Sequence, residues 1–242
     1  MGNLVSNFTS ENHNRYITEL FDSISARYDL LNRLLSFGID RRWRTSTITH
    51  LQPYNPQFIL DMATGTADMA ITMAKSFQNS NVIGIDIAPK MIDVGRNKII
   101  KCKLNNRIEL QLADGHHLPF ENNIFDAATN AFGLRNFANP QLGVNELFRT
   151  VKNGGKVIIL EFTAVKNNYF RKIYSFYFNH ILPFTGRIIS KHKTAYSYLP
   201  FSIDRFNSTV NPIELLRNAG FIKIEKKILS FGVASIITGV KP

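Results

Sequence analysis

The chain has 242 residues, 44% hydrophobic and 19% charged, which suits one folded domain and excludes wholesale disorder. A net charge of +11 calls for an anionic partner, and nucleic acid, an anionic membrane surface or an anionic small molecule would each fit. Apolar runs of about seven residues are too short to span a bilayer, and one cysteine, Cys102, excludes an internal disulfide or a cysteine-built metal site.

No basic segment followed by an apolar one opens the chain, so it is read as lacking a secretory signal and a cytoplasmic location is expected. Residues 1–52 read as helical. Phe21, Ile24, Tyr28, Leu31 and Leu35 recur at three- and four-residue steps as one apolar face, and Gly38 is placed as the left-handed stop. A different rhythm starts at Pro56. Strands are predicted over 57–62, 81–86, 107–113, 124–131 and 155–161, with helices over 66–76, 89–101 and 140–150 between them. Such alternation predicts a parallel sheet covered on both faces, and the unbroken run Val157-Ile158-Ile159-Leu160 suits a strand buried on both sides.

Beyond Glu161 the pattern breaks. The stretch 166–206 holds seven Lys/Arg against one acid, Asp204, together with eleven Phe/Tyr. A helix over 212–219 then leads to strands over 221–229 and 233–240, joined at Ser230-Phe231-Gly232 as an antiparallel hairpin. The expected organisation is a single domain over 1–242: a helical lid (1–52), a cofactor-binding core (56–162), a basic aromatic insertion facing substrate or membrane (166–206), and a terminal helix with hairpin (210–242).

In doubly wound sheets ligands bind beyond the carboxyl ends of the strands, where strand order reverses. Asp61, Asp86 and Asp114 stand at such ends. Asp86 lies twenty-one residues after Gly65, where a carboxylate accepts both ribose hydroxyls of an adenosine. A helix-capping aspartate before Ala88-Pro89 has the same appearance in sequence. The loop from Asp61 to Asp68 carries one glycine, Gly65, too few to cradle a pyrophosphate. It suits a phosphate-free adenosine ligand such as S-adenosyl-L-methionine, with Asp61 and Asp68 placed near its ammonium and sulfonium charges. Asp114-Gly115 follows the third strand, where the acid meets the adenine amino group and the glycine admits the ring. No metal site is expected: His116-His117 has no further ligand cluster beside it.

Three motifs together resemble the quinone-biosynthesis C-methyltransferases of the UbiE/MenG type. They are Phe21-Asp22 with Ala26-Arg27-Tyr28-Asp29-Leu30-Leu31-Asn32 and Trp43-Arg44, the loop Asp61-Met62-Ala63-Thr64-Gly65-Thr66-Ala67-Asp68, and Asn130-Ala131-Phe132-Gly133-Leu134-Arg135-Asn136 followed by Leu160-Glu161-Phe162. The resemblance runs from about residue 15 to the end. It implies a seven-stranded Rossmann-like class I methyltransferase, α/β and doubly wound, with an antiparallel C-terminal hairpin and an N-terminal helical lid. It also implies S-adenosyl-L-methionine as cofactor, held at Thr66, Asp86, Asp114 and Gly115; Asp61, Gly65 and Ala131 complete the expected binding set. Ala131 stands where ubiquinone-type members often have serine and Thr64 where many have glycine, and the Gly-Thr-Ala-Asp form leans toward the menaquinone type.

The implied acceptor is a polyprenyl quinol, demethylmenaquinol ahead of a methoxy-benzoquinol. Arg135 is the candidate cation for the ionised ring hydroxyl, with Asn136 beside it, Tyr28 on the lid and His180 as a candidate proton acceptor. A salt bridge from Arg135 to Asp29 or Glu161 is the plain alternative. The basic aromatic stretch is expected to touch the anionic inner face of the cytoplasmic membrane, where each Lys/Arg adds ~1 kcal/mol. Homodimerisation is compatible with the sequence. A nucleic-acid methyltransferase is the competing reading of the charge, but Asn130-Ala131-Phe132-Gly133 lacks the Asn/Asp-Pro-Pro-aromatic sequence of base N-methylation. No nucleic-acid partner is therefore expected.

Overall fold

The computed structural model describes residues 10–163 and 193–242. Its frame is a seven-stranded sheet in the order β3-β2-β1-β4-β5-β7-β6. The strands are β1 (Phe58–Met62), β2 (Asn81–Asp86), β3 (Ile108–Leu112), β4 (Phe125–Ala131), β5 (Val151–Phe162), β6 (Ile222–Leu229) and β7 (Ala234–Val240). The first five pair in parallel, while β7 runs antiparallel between β5 and β6. Chain order reverses between β1 and β4, so the ends of these two strands mark the switch point.

The expected strands and core helices stand where periodicity put them. One difference lies in β5, which begins at Val151 rather than Gly155. Val151 pairs with Phe125 before the register shifts, and Lys156 then faces Ala127. Gly154 sits in this irregularity at φ +77°. Beyond it Val157, Ile158, Ile159 and Leu160 are wholly buried. Helices α4 (Asp68–Ser76), α5 (Pro89–Lys101), α6 (Pro140–Thr150) and α8 (Pro212–Ala219) cover the sheet, and α7 (Lys193–Thr209) precedes α8. Asn139 caps α6 and Asn211 caps α8, each accepting from backbone N–H groups of the first turn, with Pro140 and Pro212 at the first helical positions.

The lid is three helices rather than one continuous face: α1 (Ser10–Ile24), a 3-10 turn at Ser25–Arg27, α2 (Tyr28–Leu35) and α3 (Ile39–Thr49). The break falls where serine hydroxyls compete for backbone carbonyls: Ser23 donates to Leu20 and Ser25 to Asp22. The stop after α2 falls at Gly38 as expected, with a second left-handed residue just before it. Phe37, at φ +51°, takes the left-handed position, and Gly38 follows at φ +75°, its N–H donating to the Arg33 carbonyl at 2.9 Å.

Candidate active site

A cleft open to solvent lies over the switch point, where doubly wound sheets hold their ligands. Its floor comes from the loops after four adjacent strands: Ala63 and Gly65 after β1, Asp86 ending β2, Asp114 to His116 after β3, and Ala131 to Gly133 at β4. Its roof is the lid, with Asn14, Ile17 and Phe21 from α1 and Tyr28 from α2.

The β1 loop carries three left-handed residues, Ala63, Gly65 and Ala67. Asp61 holds it from below, accepting from the hydroxyls of Thr64 and Thr129, both at 2.7 Å. Asp61 is buried rather than exposed to the cleft, and burial pushes its carboxyl up to about 6 despite those two hydrogen bonds.

Asp86 does line the cleft. Its two oxygens accept from the N–H groups of Gly65 (2.8 Å) and Ala88 (2.9 Å). Burial raises its pKa against those bonds. Each carboxylate oxygen has two lone pairs, so capacity remains for a pair of vicinal hydroxyls. Capping and ligand-holding, alternatives in sequence, are compatible here.

On the far wall Asp114 accepts from Asn14 Nδ2 at 2.8 Å and from the backbone N–H and Nδ1 of His116. Burial alone would raise its carboxyl, but the His116 contacts outweigh burial and hold it below the usual range. His116 Nε2 accepts from the Asn139 N–H at 3.3 Å, which assigns the proton to Nδ1. Gly115 is a close approach: a Cβ there would sit 2.6 Å from the Phe137 ring. An adenosine fits this set, with a carboxylate for its diol, a wall without side chain at Gly115 and apolar flanks at Ile85 and Met91.

Thr66 stands away from the cleft lining. Its hydroxyl donates to Asp29 at 2.5 Å, and Lys98 bridges Asp29 (2.6 Å) to Asp68 (2.5 Å). Arg33 reaches Asp68 at 3.2 Å. Burial would raise Asp68, yet Lys98, Arg44 and Arg33 hold its pKa below normal. This network fastens the lid to α4 and α5, with Tyr28 above Gly65, and gives Asp68 cationic partners within the protein.

Arg135 lies under the cleft rim. Its guanidinium pairs with Glu161 at 3.1 Å, both side chains being buried, and also donates to the Phe132 carbonyl. This is one of the two salt bridges weighed as alternatives in sequence. Asn136, its neighbour, lines the cleft. His13 Nε2 donates to the Asn136 carbonyl at 2.9 Å, and the Tyr198 hydroxyl donates to Asn136 Oδ1 at 3.0 Å. Burial pushes the Tyr198 phenol up to about 12, so it keeps its proton at neutral pH. His180 lies outside the described residues, as does 166–192 of the basic aromatic stretch.

Of the expected set, the cleft gathers Tyr28, Gly65, Asp86, Asp114, Gly115, Ala131 and Asn136. Sequence reading missed Asn14, Ile17, His116 and Phe137 as lining residues, and also His13 and Tyr198 behind them. The three-, four- and seven-residue spacing of Asn14, Ile17 and Phe21 is a helix-face signal that points to the first two. Nothing local marks Tyr198.

Folded chains of known structure share the architecture at low identity. The cyclase SpnF matches with a TM-score of 0.68 at 15% identity, covering 95% of this chain and 97% of that one. A methyltransferase from Thermotoga maritima, described as a possible histamine N-methyltransferase, matches with a TM-score of 0.65 at 16% identity, covering 93% and 100%. Sheet order and strand-end cleft together define a Rossmann-like, doubly wound fold with an antiparallel C-terminal hairpin.

The sequence model of the ubiE/COQ5 methyltransferase family matches residues 9–241, and the chain belongs to that family. The demethylmenaquinone methyltransferase of Bacteroides fragilis is 38% identical, covering 93% of this chain and 92% of its own. That of Thermus thermophilus is 40% identical, covering 92% and 100%. The ubiquinone/menaquinone biosynthesis C-methyltransferase UbiE of Geobacter sulfurreducens is 38% identical, covering 93% and 88%.

Proposed function

We propose that this enzyme methylates a ring carbon of a polyprenyl quinol, with demethylmenaquinol as its acceptor. The observation that carries the reading is the two-sided cleft. Asp86, whose carboxylate keeps capacity for a diol, and Asn136 line one cleft together with the apolar lid residues Ile17 and Phe21. The names of the Bacteroides and Thermus relatives support the naphthoquinol choice.

When bound, S-adenosylmethionine supplies an electrophilic methyl carbon on a sulfonium and leaves as a neutral thioether. The chain's residues align the partners, a contribution worth ~7–11 kcal/mol in well-oriented reactions. Asp86 fixes the ribose end, and Gly65 and Gly115 let backbone close on the ligand. Tyr28, fastened through its neighbour Asp29 to Lys98, covers the Gly65 loop. Ile17 and Phe21 of the lid keep water from the acceptor ring, and Phe137 backs the Gly115 wall.

The acceptor carbon becomes nucleophilic when the adjacent hydroxyl ionises. For a phenol of pKa ~10 this costs ~4 kcal/mol at pH 7. Asn136 offers an N–H toward that oxygen. Arg135 stands behind it, its charge shared with Glu161, so its contribution reaches the ring through the loop it holds. After the carbon–methyl bond forms, the ring carbon releases its proton and aromaticity returns.

Among the described residues no helix is long and apolar enough to cross a membrane. We infer that a bilayer-dwelling acceptor is met by peripheral contact, for which the basic aromatic stretch 166–206 supplies charge and rings. Co-sedimentation with liposomes should rise with anionic lipid and fall with salt; indifference to both contradicts this contact. The test of the reaction is incubation with methyl-labelled S-adenosylmethionine and short-chain forms of both quinols under reducing conditions. Label in methylated naphthoquinol is expected. Label confined to the benzoquinol reassigns the acceptor, and label in neither removes the reading.

A further inference from the structure

Asn136 is held on three sides. Its backbone carbonyl accepts from His13 of α1, its Oδ1 accepts from Tyr198 of α7, and its Nδ2 reaches the Phe132 carbonyl at 3.4 Å. These partners assign the amide's orientation. Turned over, its oxygen would face the Phe132 carbonyl, acceptor against acceptor. One Nδ2 hydrogen is therefore engaged, weakly, with Phe132. The other has no partner among the described residues, and Asn136 lines the cleft. A donor held in a fixed frame beside an acceptor ring is placed to stabilise charge that develops on a ring oxygen.

We propose that Tyr198 is a positioning residue for methyl transfer: by donating to Oδ1 it locks the Asn136 amide so that the unspent N–H is offered to the ionised hydroxyl of the acceptor. The inference rests on the quinol reading above and adds a residue that touches neither reactant. It also ties α7, the end of the basic aromatic stretch, to the chemistry at the sheet edge. Without the hydroxyl the amide keeps only its 3.4 Å contact to the Phe132 carbonyl, and the phenolate loses a firmly aimed donor while the ribose side stays intact.

The test is kcat against pH for wild type, Tyr198→Phe, Asn136→Ala and the double variant, with short-chain demethylmenaquinol. Tyr198→Phe keeps the ring packed edge-on against Tyr16, centroids 6.0 Å apart. It should leave S-adenosylhomocysteine affinity and melting temperature near wild type. Its kcat at pH 7 should fall about tenfold, and the pH of half-maximal kcat should rise by about one unit, because the phenolate is less stabilised. Asn136→Ala should move both in the same direction, and the double variant should be no slower than Asn136→Ala. A Tyr198→Phe enzyme with wild-type kcat and pH profile overturns the inference. So do losses that multiply in the double variant, since Tyr198 would then act independently of Asn136. A wild type inactive on both quinols overturns the acceptor assignment instead, and the inference with it.

Discussion

The two sides of the cleft are built in opposite ways. The nucleotide side is made of strand ends and the loops that follow them, β1 to β3 in unbroken order, and Asp86 is held by backbone N–H groups of adjacent turns. The acceptor side is assembled from distant parts: His13, Arg135 with Asn136, Glu161 and Tyr198. A site formed by neighbouring loops of one rigid sheet is pre-organised by the sheet itself. A site gathered from lid, rim and α7 depends on each polar tie, so damage there should alter turnover while cofactor binding survives.

The largest effect expected is at Arg135. Removing one member of a buried ion pair leaves the other uncompensated, at about 3–5 kcal/mol. Arg135→Ala should therefore lower stability toward denaturant and also turnover. Arg135→Met combined with Glu161→Leu should recover most of the stability while turnover stays low. Recovery of turnover as well would mean that the pair serves only folding.

Asp86→Ala breaks the comparison from the other side. Two charge-assisted hydrogen bonds of ~1.5–3 kcal/mol each are lost, so S-adenosylhomocysteine should bind a hundredfold or more weaker by calorimetry. Unchanged binding would take Asp86 out of the site. Lys98→Met loosens the lid between the two sides. It should raise the S-adenosylhomocysteine dissociation constant about fivefold, or roughly 1 kcal/mol, and flatten its dependence on salt. A lid that is fastened some other way would leave both unchanged.

The smallest effect on turnover is expected at Asp61, beneath the cleft. Its folded-state carboxyl is raised from 3.8 to about 6, so the folded chain holds more protons than the unfolded chain between those values. Stability from this group therefore falls as pH rises from about 4 to 6 and stays reduced above. The melting temperature of wild type relative to Asp61→Asn should drop by several degrees over that interval. A flat difference would show that Thr64 and Thr129 cancel the burial.

The contrast also explains what could be read from the chain. Strands such as Val157-Ile158-Ile159-Leu160 announce themselves by composition, and acids at strand ends fall where the switch point puts a ligand, so the nucleotide side was legible. The acceptor side was only half so. Asn136 was marked by its motif, but the contact that orients it comes from Tyr198, sixty-two residues on, with no periodic signal. Thr66 is placed at the cofactor by the family resemblance, and Asp68 near the ligand's charges as an acid of the loop after β1. In space their side chains meet Asp29 and Lys98, an arrangement of charges that only the folded lid creates. The lid itself looked continuous because its apolar spacing persists across Ser25, where side-chain hydroxyls break the helix.

The most direct measurement is a diffraction map from crystals grown with S-adenosylhomocysteine. The ribose hydroxyls are expected on the Asp86 carboxylate, the adenine beside Gly115 and the thioether pointing toward Asn136. Density for the ligand away from Asp86, or an Asp86 side chain turned out of the cleft with the ligand bound elsewhere, would contradict the account.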